Sequence, residues 1–328
     1  GSPPMVRVEG GLRALEGFEE LKPEPLQRSI YAILTQRQRE TYEAELEFDF
    51  AYALRGVARF RVNLYQQRDS LGAAFRVIPY EIKPLSELGM PPVVGTFAGL
   101  PRGLVLVTGP TGSGKSTTLA SIVDLANRTR TDHIMTVEDP IEFLHEHKGC
   151  LINQREVGED TWSFKNALKH VLRQDPDIIL VGEVRDALTA ELALKASITG
   201  HLVLTTLHTN SAVAALTRLV DMGVEPFLVA SSLTAAVAQR LVRKPCDSCA
   251  EGYIPDESTL TLLGLRIDDI LDATPLMGTG CPDCAGTGYR GRTAVYEVLV
   301  VDTAMRTVLM TSATESAVGA QARASGMK

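Results

Sequence analysis

The segment LVLVTGPTGSGKSTT at residues 104–118 decides the fold, because residues 109–116 within it match the pattern G-x-x-x-x-G-K-[ST]. An apolar run precedes the glycines and a helical pattern follows them, which is the strand–loop–helix order of a phosphate-binding loop. Backbone N–H groups of such a loop surround phosphate oxygens, and the helix N-terminus adds partial positive charge. The residues predicted to bind a nucleotide are Gly109, Pro110, Thr111, Gly112, Ser113, Gly114, Lys115, Ser116 and Thr117.

Two side chains of this loop have predicted chemical roles. Lys115 is expected to reach the β- and γ-phosphates of ATP, and the hydroxyl of Ser116 is expected to ligate Mg²⁺. The alternative is a glycine-rich turn that only connects a strand to a helix. That alternative is disfavoured because every fixed position of the motif and its flanking pattern are present.

Apolar runs that alternate with longer helical patterns predict a parallel sheet flanked by helices, and therefore an α/β domain. Residues that follow such strands share the sheet edge of the phosphate-binding loop. We therefore expect Glu138 to orient the attacking water and Glu183 to hold Mg²⁺ through its water shell. For each acid the alternative is a solvated carboxylate at a strand end. The runs predicted to be buried strands are 104–107, 134–137, 178–181 and 202–204.

Two histidines, His201 and His208, bracket the last of these runs. An extended chain separates them by about 20 Å, so one γ-phosphate cannot contact both. The strand runs towards the edge that carries the loop, which makes His208 the predicted γ-phosphate sensor. His201 is expected to act elsewhere, at a subunit contact or in packing.

Residues 1–80 have a different pattern and are predicted to form a small α+β domain. Helical spacing within residues 23–42 precedes strictly alternating runs at 46–50 and 57–64. Further strand candidates lie at 6–9, before a turn at Gly10, and at 73–78.

The segment 81–102 is rich in proline and glycine, so we predict a linker there rather than part of a core. Residues 103–328 are then predicted to form the ATPase domain.

Alternation in residues 57–64 places Arg59 and Arg61 on the face opposite the apolar side chains. Two readings of these arginines are equally supported. They keep an open sheet soluble, or they act as a phosphate clamp or arginine finger across a domain or subunit boundary. Arg76 on the next strand is a weaker third candidate.

Four of the five cysteines form two C-x-x-C pairs separated by a long insertion. Together they can close a tetrahedral Cys₄ shell, which predicts a structural Zn²⁺ site in a small lobe at about residues 243–293. Redox chemistry is the less favoured alternative, because one pair would suffice for it. The predicted zinc ligands are Cys246, Cys249, Cys281 and Cys284, whereas Cys150 is expected to serve packing.

Composition excludes several classes of protein. The chain has 328 residues, 33 of them basic and 40 acidic, so its formal net charge is −7. This balance argues against a protein that binds bulk nucleic acid, which requires a basic excess. No run approaches the roughly 18 apolar residues that a membrane-spanning helix needs, and no secretory leader is evident. We therefore expect a cytoplasmic protein.

Three further motifs resemble the ATPases that drive type II secretion and type IV pili. Residues 136–142 (TVEDPIE) are similar to the acidic box of that family, and residues 199–209 (TGHLVLTTLHT) to its histidine box. Residues 175–186 (DPDIILVGEVRD) resemble its variant Walker B motif, in which glycine replaces the usual aspartate.

The resemblance implies a RecA-like P-loop ATPase domain, an N-terminal PAS-like α+β domain and the tetracysteine zinc lobe. It also implies a homo-hexameric ring with ATP between subunits, where Arg59, Arg61 and Arg76 match the family's arginine positions. Such motors act from the cytoplasm on an inner-membrane platform protein.

The two halves of the chain resemble motors that move a pilus in opposite directions. Residues 3–10 and 72–79 resemble retraction ATPases, whereas residues 238–242 and the tetracysteine lobe resemble assembly and secretion ATPases. The lobe is the larger feature, so we expect a motor for pilus assembly or type II secretion, with retraction as the alternative. The rivals from other classes are a RecA-like DNA translocase or helicase and a regulatory nucleotide-binding module that does not turn over.

Overall fold

The computed structural model describes residues 2–8, 11–54, 56–78 and 81–327. The chain divides into two compact units, of which the first comprises residues 1–240 and 296–328 and the second comprises residues 241–295. None of the helices formed by the described residues is both long and apolar enough to cross a membrane.

The N-terminal part of the first unit has the predicted helices and strands. Its elements are β1 (Met5–Val8), β2 (Gly11–Ala14), α1 (Pro23–Tyr31), α2 (Gln36–Glu45), β3 (Glu47–Leu54), β4 (Ala58–Gln67) and β5 (Ser70–Ile78). β1 and β2 form an antiparallel hairpin, and the turn predicted at Gly10 lies outside the described residues. β3, β4 and β5 form an antiparallel sheet in that order.

Alternation along β4 buries one face of this sheet against the two helices. Val62 and Leu64 are fully buried and pack with Ile30 of α1 and Tyr42 of α2. The strands alternate between apolar and polar residues because only one face of the sheet packs against this hydrophobic cluster.

The prediction that residues 81–102 are a linker outside the core is wrong. This segment forms α3 (Pro92–Thr96) and a 3₁₀ turn (Phe97–Gly99), and Met90, Val94 and Phe97 are buried in a core cluster. Its prolines start and bound short helical turns, and they do not keep the chain out of the core.

The rest of the chain forms a large sheet, its flanking helices and the second unit. The strands are β6 (Gly103–Thr108), β7 (His133–Glu138), β8 (Leu151–Glu156), β9 (Ile178–Val181), β10 (Leu202–Leu207), β11 (Leu233–Pro245), β12 (Ala250–Gly252), β13 (Leu276–Gly278) and β14 (Tyr289–Val300). The helices are α4 (Lys115–Thr129), α5 (Phe164–Val171), α6 (Ala187–Ile198), α7 (Ala212–Asp221), α8 (Pro226–Ser232), α9 (Glu257–Leu263), α10 (Thr303–Thr311) and α11 (Glu315–Ala324).

The large sheet has the strand order β14-β11-β6-β10-β9-β7-β8, and the strands from β11 to β8 are parallel to their neighbours. Alternate residues of β6 enter different cores. Leu104 and Leu106 pack in one cluster, and Val105 and Val107 pack in the other. The predicted α/β fold is confirmed, and the parallel register brings the carboxyl ends of β6, β7, β9 and β10 to one edge.

The second unit, residues 241–295, is two residues wider at each end than the predicted lobe. β12 pairs with β13 in an antiparallel hairpin, and α9 lies between them in the sequence. A short 3₁₀ turn at Pro282–Cys284 contains Cys284, and Cys281 is the residue that caps its start.

Candidate active site

The loop between β6 and α4 requires glycine where its backbone turns. Gly109 and Gly114 have φ values of 144° and 91°, in the left-handed region that glycine tolerates. A Cβ at Gly109 would lie 2.4 Å from the carbonyl oxygen of Gln239, so any larger residue would displace the loop or β11. The sequence therefore specifies this loop conformation locally.

The start of α4 suits an anion. Gly114 caps the helix without a side-chain acceptor, and the first turn contains no acidic residue. The Ser113 hydroxyl is buried and has no hydrogen-bond partner among the described residues. Free helix N–H groups beside an unpartnered hydroxyl fit the phosphates of a nucleotide.

Lys115 is buried within the loop. Its Nζ donates hydrogen bonds to the carbonyl oxygens of Gly109 at 2.9 Å and Pro110 at 3.2 Å. Burial lowers the pKa of Lys115, and the nearby carboxylates of Glu183 and Glu142 oppose that shift. The predicted phosphate lysine and the predicted metal acid thus share one electrostatic site.

Glu138, at the end of β7, has an altered proton affinity. Burial raises the pKa of Glu138 to about 7, although hydrogen bonds from the Thr136 hydroxyl, the Gln154 amide and the Glu142 backbone act in the opposite direction. The two side-chain donors lie 2.7 and 3.2 Å from the same oxygen, Oε1. A carboxylate with a pKa near neutrality can accept a proton from water, as a general base must.

Glu183 follows β9 at the same edge and contacts His208. The His208 Nε2 lies 3.2 Å from Glu183 Oε2, and Arg185 forms an ion pair with the other carboxylate oxygen. Arg185 Nη1 also lies 3.6 Å from Asp139 Oδ2. The structure therefore brings His208 to the predicted end of its strand and joins it to the predicted Mg²⁺ acid. Arg185 was missed as a site residue, although it lies within the DPDIILVGEVRD motif.

Gly182 explains the absence of aspartate before Glu183. A Cβ on Gly182 would lie 3.2 Å from the Cα of Glu138, which is closer than most side chains allow. Glycine therefore permits the close approach of β9 to the end of β7, where the two acids are held.

His201 lies at the amino end of β10, away from His208. Its Nδ1 is 2.9 Å from the carbonyl oxygen of Ala196 at the end of α6. Within the chain, His201 therefore fastens the turn between α6 and β10.

The three predicted arginines have different surroundings. Arg59 forms an ion pair with Glu156, with Nη2 and Oε2 3.2 Å apart and both side chains largely buried. Arg61 lies directly opposite Arg76 on the same face of the antiparallel sheet. Two like charges in register repel each other, so this pair suits an anionic partner better than an empty surface.

Sequence reasoning assigned no role to Gln239, which fixes the loop from β11. Its amide donates to the Ser113 carbonyl at 2.7 Å and accepts from the Thr118 hydroxyl at 2.8 Å. It is 2% exposed. The available signal was an amide side chain that directly follows the apolar run AAVA at residues 235–238.

The four cysteines of the second unit converge as predicted. The Sγ atoms lie within 4.8 Å of one another, and Cys246–Cys281 and Cys249–Cys284 are each separated by 3.9 Å. Four sulfurs at about 2.3 Å from a tetrahedral Zn²⁺ would be about 3.8 Å apart. Backbone N–H groups of Cys281 and Gly288 also donate to the Cys284 sulfur. The donor set and its spacing therefore fit a metal ion.

Residues 85–328 match the family described as "Type II/IV secretion system protein". The chain belongs to this family. Since the motifs at residues 136–142, 175–186 and 199–209 predicted this membership, the resemblance is confirmed, and so is the expectation of a motor ATPase.

Two relatives from Pseudomonas aeruginosa illustrate the similarity. The chain is 49% identical over 250 residues to the "Type IV pilus retractation ATPase PilT", covering 74% of this chain and 72% of that protein. It is 51% identical over 228 residues to "Type II secretion system protein E", covering 69% of this chain and 44% of that protein. The chain thus spans less than half the length of the secretion relative.

Two solved structures share the fold over nearly the whole chain. The pilus retraction motor PilT with bound ADP has a TM-score of 0.80 at 38% identity, covering 98% of this chain and 83% of that chain. The Legionella pneumophila ATPase DotB has a TM-score of 0.72 at 26% identity, covering 99% and 81%.

Proposed function

We propose that this chain hydrolyses ATP at the edge formed by β6, β7, β9 and β10, and that it uses the energy to drive a type IV pilus or type II secretion machine. The observation that carries the proposal is the convergence of Lys115, Glu138, Glu183 and His208 at that edge. A phosphate-binding lysine, a carboxylate of near-neutral pKa and a second acid beside a histidine are the groups that phosphoryl transfer requires.

The residues have separate tasks in this mechanism. The loop N–H groups and Lys115 hold the phosphates, and Glu138 takes a proton from the attacking water through its carboxylate. Ser116 and Glu183 are the residues that would hold Mg²⁺, which neutralises charge on the β- and γ-phosphates when it is bound. His208 is the γ-phosphate sensor, and its hydrogen bond to Glu183 couples the two side chains.

Charge that develops on the transferred group calls for further cations. Arg61 and Arg76 form a pair of like charge in adjacent strands, and we infer that they act on the nucleotide of a neighbouring protomer. This role needs a ring of identical subunits, for which a homo-hexamer is the proposed form. Arg59 belongs to the same face of the sheet but is engaged by Glu156 within its own chain.

The N-terminal sheet with α1 and α2 is proposed to be the PAS-like domain of the motor, and the large sheet its RecA-like ATPase core. The tetracysteine cluster is proposed to bind Zn²⁺ in a purely structural role, because four thiolates leave no position for a substrate.

The proposed machine lies at the cytoplasmic face of an inner membrane, where the ring acts on a platform protein. The tetracysteine lobe supports pilus assembly or type II secretion as the main proposal. The similarity to the PilT structure over 98% of the chain supports retraction as the alternative. Deletion of the gene separates the two: loss of pili or of secretion indicates assembly or secretion, and accumulation of unretracted pili indicates retraction.

The direct test of the enzymatic proposal is Glu138→Gln. We expect the variant to bind ATP normally and to lose at least 100-fold in ATPase rate, on the order of the usual contribution of a general base. Glu146→Gln is the matched control, because Glu146 is an exposed carboxylate in the loop after β7. Hydrolysis by Glu138→Gln at the rate of the control would refute the assignment.

A DNA translocase is the rival from another class, and single-stranded DNA distinguishes it. The proposal predicts that the ATPase rate is the same with and without single-stranded DNA at physiological salt. A strong stimulation by DNA would instead favour the translocase.

A further inference from the structure

The side-chain amide of Gln154, in β8, joins the carboxylate of Glu138 to the loop that follows β7. Its Nε2 donates to Glu138 Oε1 at 3.2 Å and to the carbonyl oxygen of Phe143 at 2.8 Å. Its Oε1 accepts the backbone N–H of His145 at 2.8 Å. One side chain thus contacts the proposed base and two points of the adjoining loop.

These contacts determine which way the amide points. Both N–H groups of Gln154 face acceptor oxygens, and its carbonyl oxygen faces a donor. The reversed amide would oppose oxygen to oxygen at Glu138 and Phe143, and would oppose two N–H groups at His145. The orientation shown is therefore the one in which every contact is favourable.

The hydrogen bonds to Glu138 also select one of its two oxygens. The Thr136 hydroxyl donates to Oε1 at 2.7 Å, so both side-chain donors reach the same atom. No side chain of the described residues donates to Oε2. Because side chains of two elements, β7 and β8, hold Oε1, rotation of the carboxylate is restrained, and Oε2 is the oxygen without a side-chain donor. The Glu142 backbone is a further donor to the same carboxylate.

We propose that Gln154 is a positioning residue for hydrolysis, which holds the carboxylate of Glu138 so that Oε2 faces the attacking water. This inference rests on the proposed function, because it needs Glu138 to be the base. Gln154 itself contacts neither the nucleotide nor the water in this role.

The same hydrogen bond alters the proton affinity of Glu138. A donor to the ionised form stabilises that form, so the Gln154 amide lowers a pKa that burial raises to about 7. The Glu142 carboxylate is the charged group that acts on Glu138, and its repulsion raises the pKa further. Removing the amide donor should therefore make Glu138 harder to ionise.

The test is the pH dependence of kcat in Gln154→Met, which keeps the side-chain length and removes the hydrogen bonds. The acid limb of the profile should move up by about one pH unit, the value of one hydrogen bond to a charged group. At pH 7 this shift alone should lower the rate about fivefold. At pH 9, where Glu138 is ionised in both proteins, the rate should stay below that of the wild type by a smaller factor, because the carboxylate is no longer held, with KM for ATP unchanged.

Two further variants sharpen the test. Gln154→Glu keeps an acceptor for His145 but turns an oxygen towards Glu138, so its acid limb should lie above that of Gln154→Met. Asn153→Leu is the matched control, because its amide on the same strand contacts His133 instead, with Nε2 2.9 Å away. Its pH profile should coincide with that of the wild type.

A Gln154→Met profile that coincides with the wild type, or a rate lowered equally at every pH, would overturn the inference and leave Gln154 a structural residue. If Gln154→Met does not fold, the shift in Gln154→Glu decides instead. Full activity in Glu138→Gln would overturn the proposed function and this inference together, whereas an inactive Glu138→Gln with an unshifted Gln154→Met overturns the inference alone.

Discussion

Arg59 in β4 and Glu156 at the end of β8 form an ion pair, with Nη2 and Oε2 3.2 Å apart and side chains 12% and 10% exposed. The same carboxylate oxygen accepts the backbone N–H of Ile141 at 3.1 Å. The pair therefore connects the N-terminal sheet to the segment that follows Glu138, the proposed base. Any movement of β4 away from β8 must first separate these two charges.

Arg59→Ala should destabilise the chain by about 2 kcal/mol at pH 8, because it leaves a buried carboxylate with one donor fewer. Burial already raises the pKa of Glu156, and loss of the Arg59 charge raises it further, so the penalty should shrink at pH 5, where Glu156 can take a proton. Denaturant unfolding of Arg59→Ala measures this, with the exposed Arg37→Ala as control. An equal effect of the two variants would contradict the role of the pair.

Glu138→Gln should stabilise the chain above pH 7 while it abolishes hydrolysis. The pKa of Glu138 rises from an ordinary 4.5 to about 7 on folding, so the folded state loses stability as pH rises between these values. A neutral amide at this position avoids this loss, which amounts to about 3 kcal/mol. Unfolding free energies at pH 8 and pH 4 test it: the variant should exceed the wild type only at pH 8. Greater stability of the wild type at pH 8 would refute the burial of a charged Glu138.

Gln239→Leu should weaken ATP binding about tenfold, because the loop loses the amide that fixes the Ser113 carbonyl and the Thr118 hydroxyl. Binding of a fluorescent ATP analogue measures the Kd. Arg240→Leu is the control, since the exposed neighbouring side chain points away from the loop side of β11. An unchanged Kd in Gln239→Leu would show that the loop is held by its glycines alone.

Cys246→Ser should remove the metal from the purified protein and lower its melting temperature. Zinc content by elemental analysis should fall from one ion per chain to a small fraction, because a Cys₃ set binds Zn²⁺ more weakly. Cys150→Ser is the control, since Cys150 is also buried and free but lies outside the cluster. The zinc proposal does not survive equal metal content in the two variants.

The sequence predicted those parts of the site whose residues belong to short local sequence patterns. The glycine spacing identifies the phosphate-binding loop. Glu138, Glu183 and His208 each follow a strand, and parallel strands bring their carboxyl ends to one edge of the sheet. Partners that lie far apart in the sequence were not predictable in this way. Gln239 meets Ser113 across 126 positions, and Arg59 meets Glu156 across 97. Only the tertiary packing determines such pairs.

The burial of segment 81–102 was not indicated by its local sequence pattern. Its prolines and glycines favour the interpretation as a linker, yet Val94 and Phe97 lie three positions apart on one side of a short helical turn and are buried. Short apolar spacing of this kind is a weaker pattern than the prolines around it. Burial was decided by the neighbouring α4, which no local pattern of the segment reveals.

In the proposed ring, Glu138 acts within its own protomer while Arg61 and Arg76 act on a neighbour. The most direct test of this arrangement is the ATPase rate of an equimolar mixture of Glu138→Gln with the double variant Arg61→Ala/Arg76→Ala, each inactive alone. In a randomly mixed ring about a quarter of the interfaces would combine an intact base with intact arginines, so the activity should recover to about a quarter of the wild-type rate. A mixture as inactive as its components would contradict it.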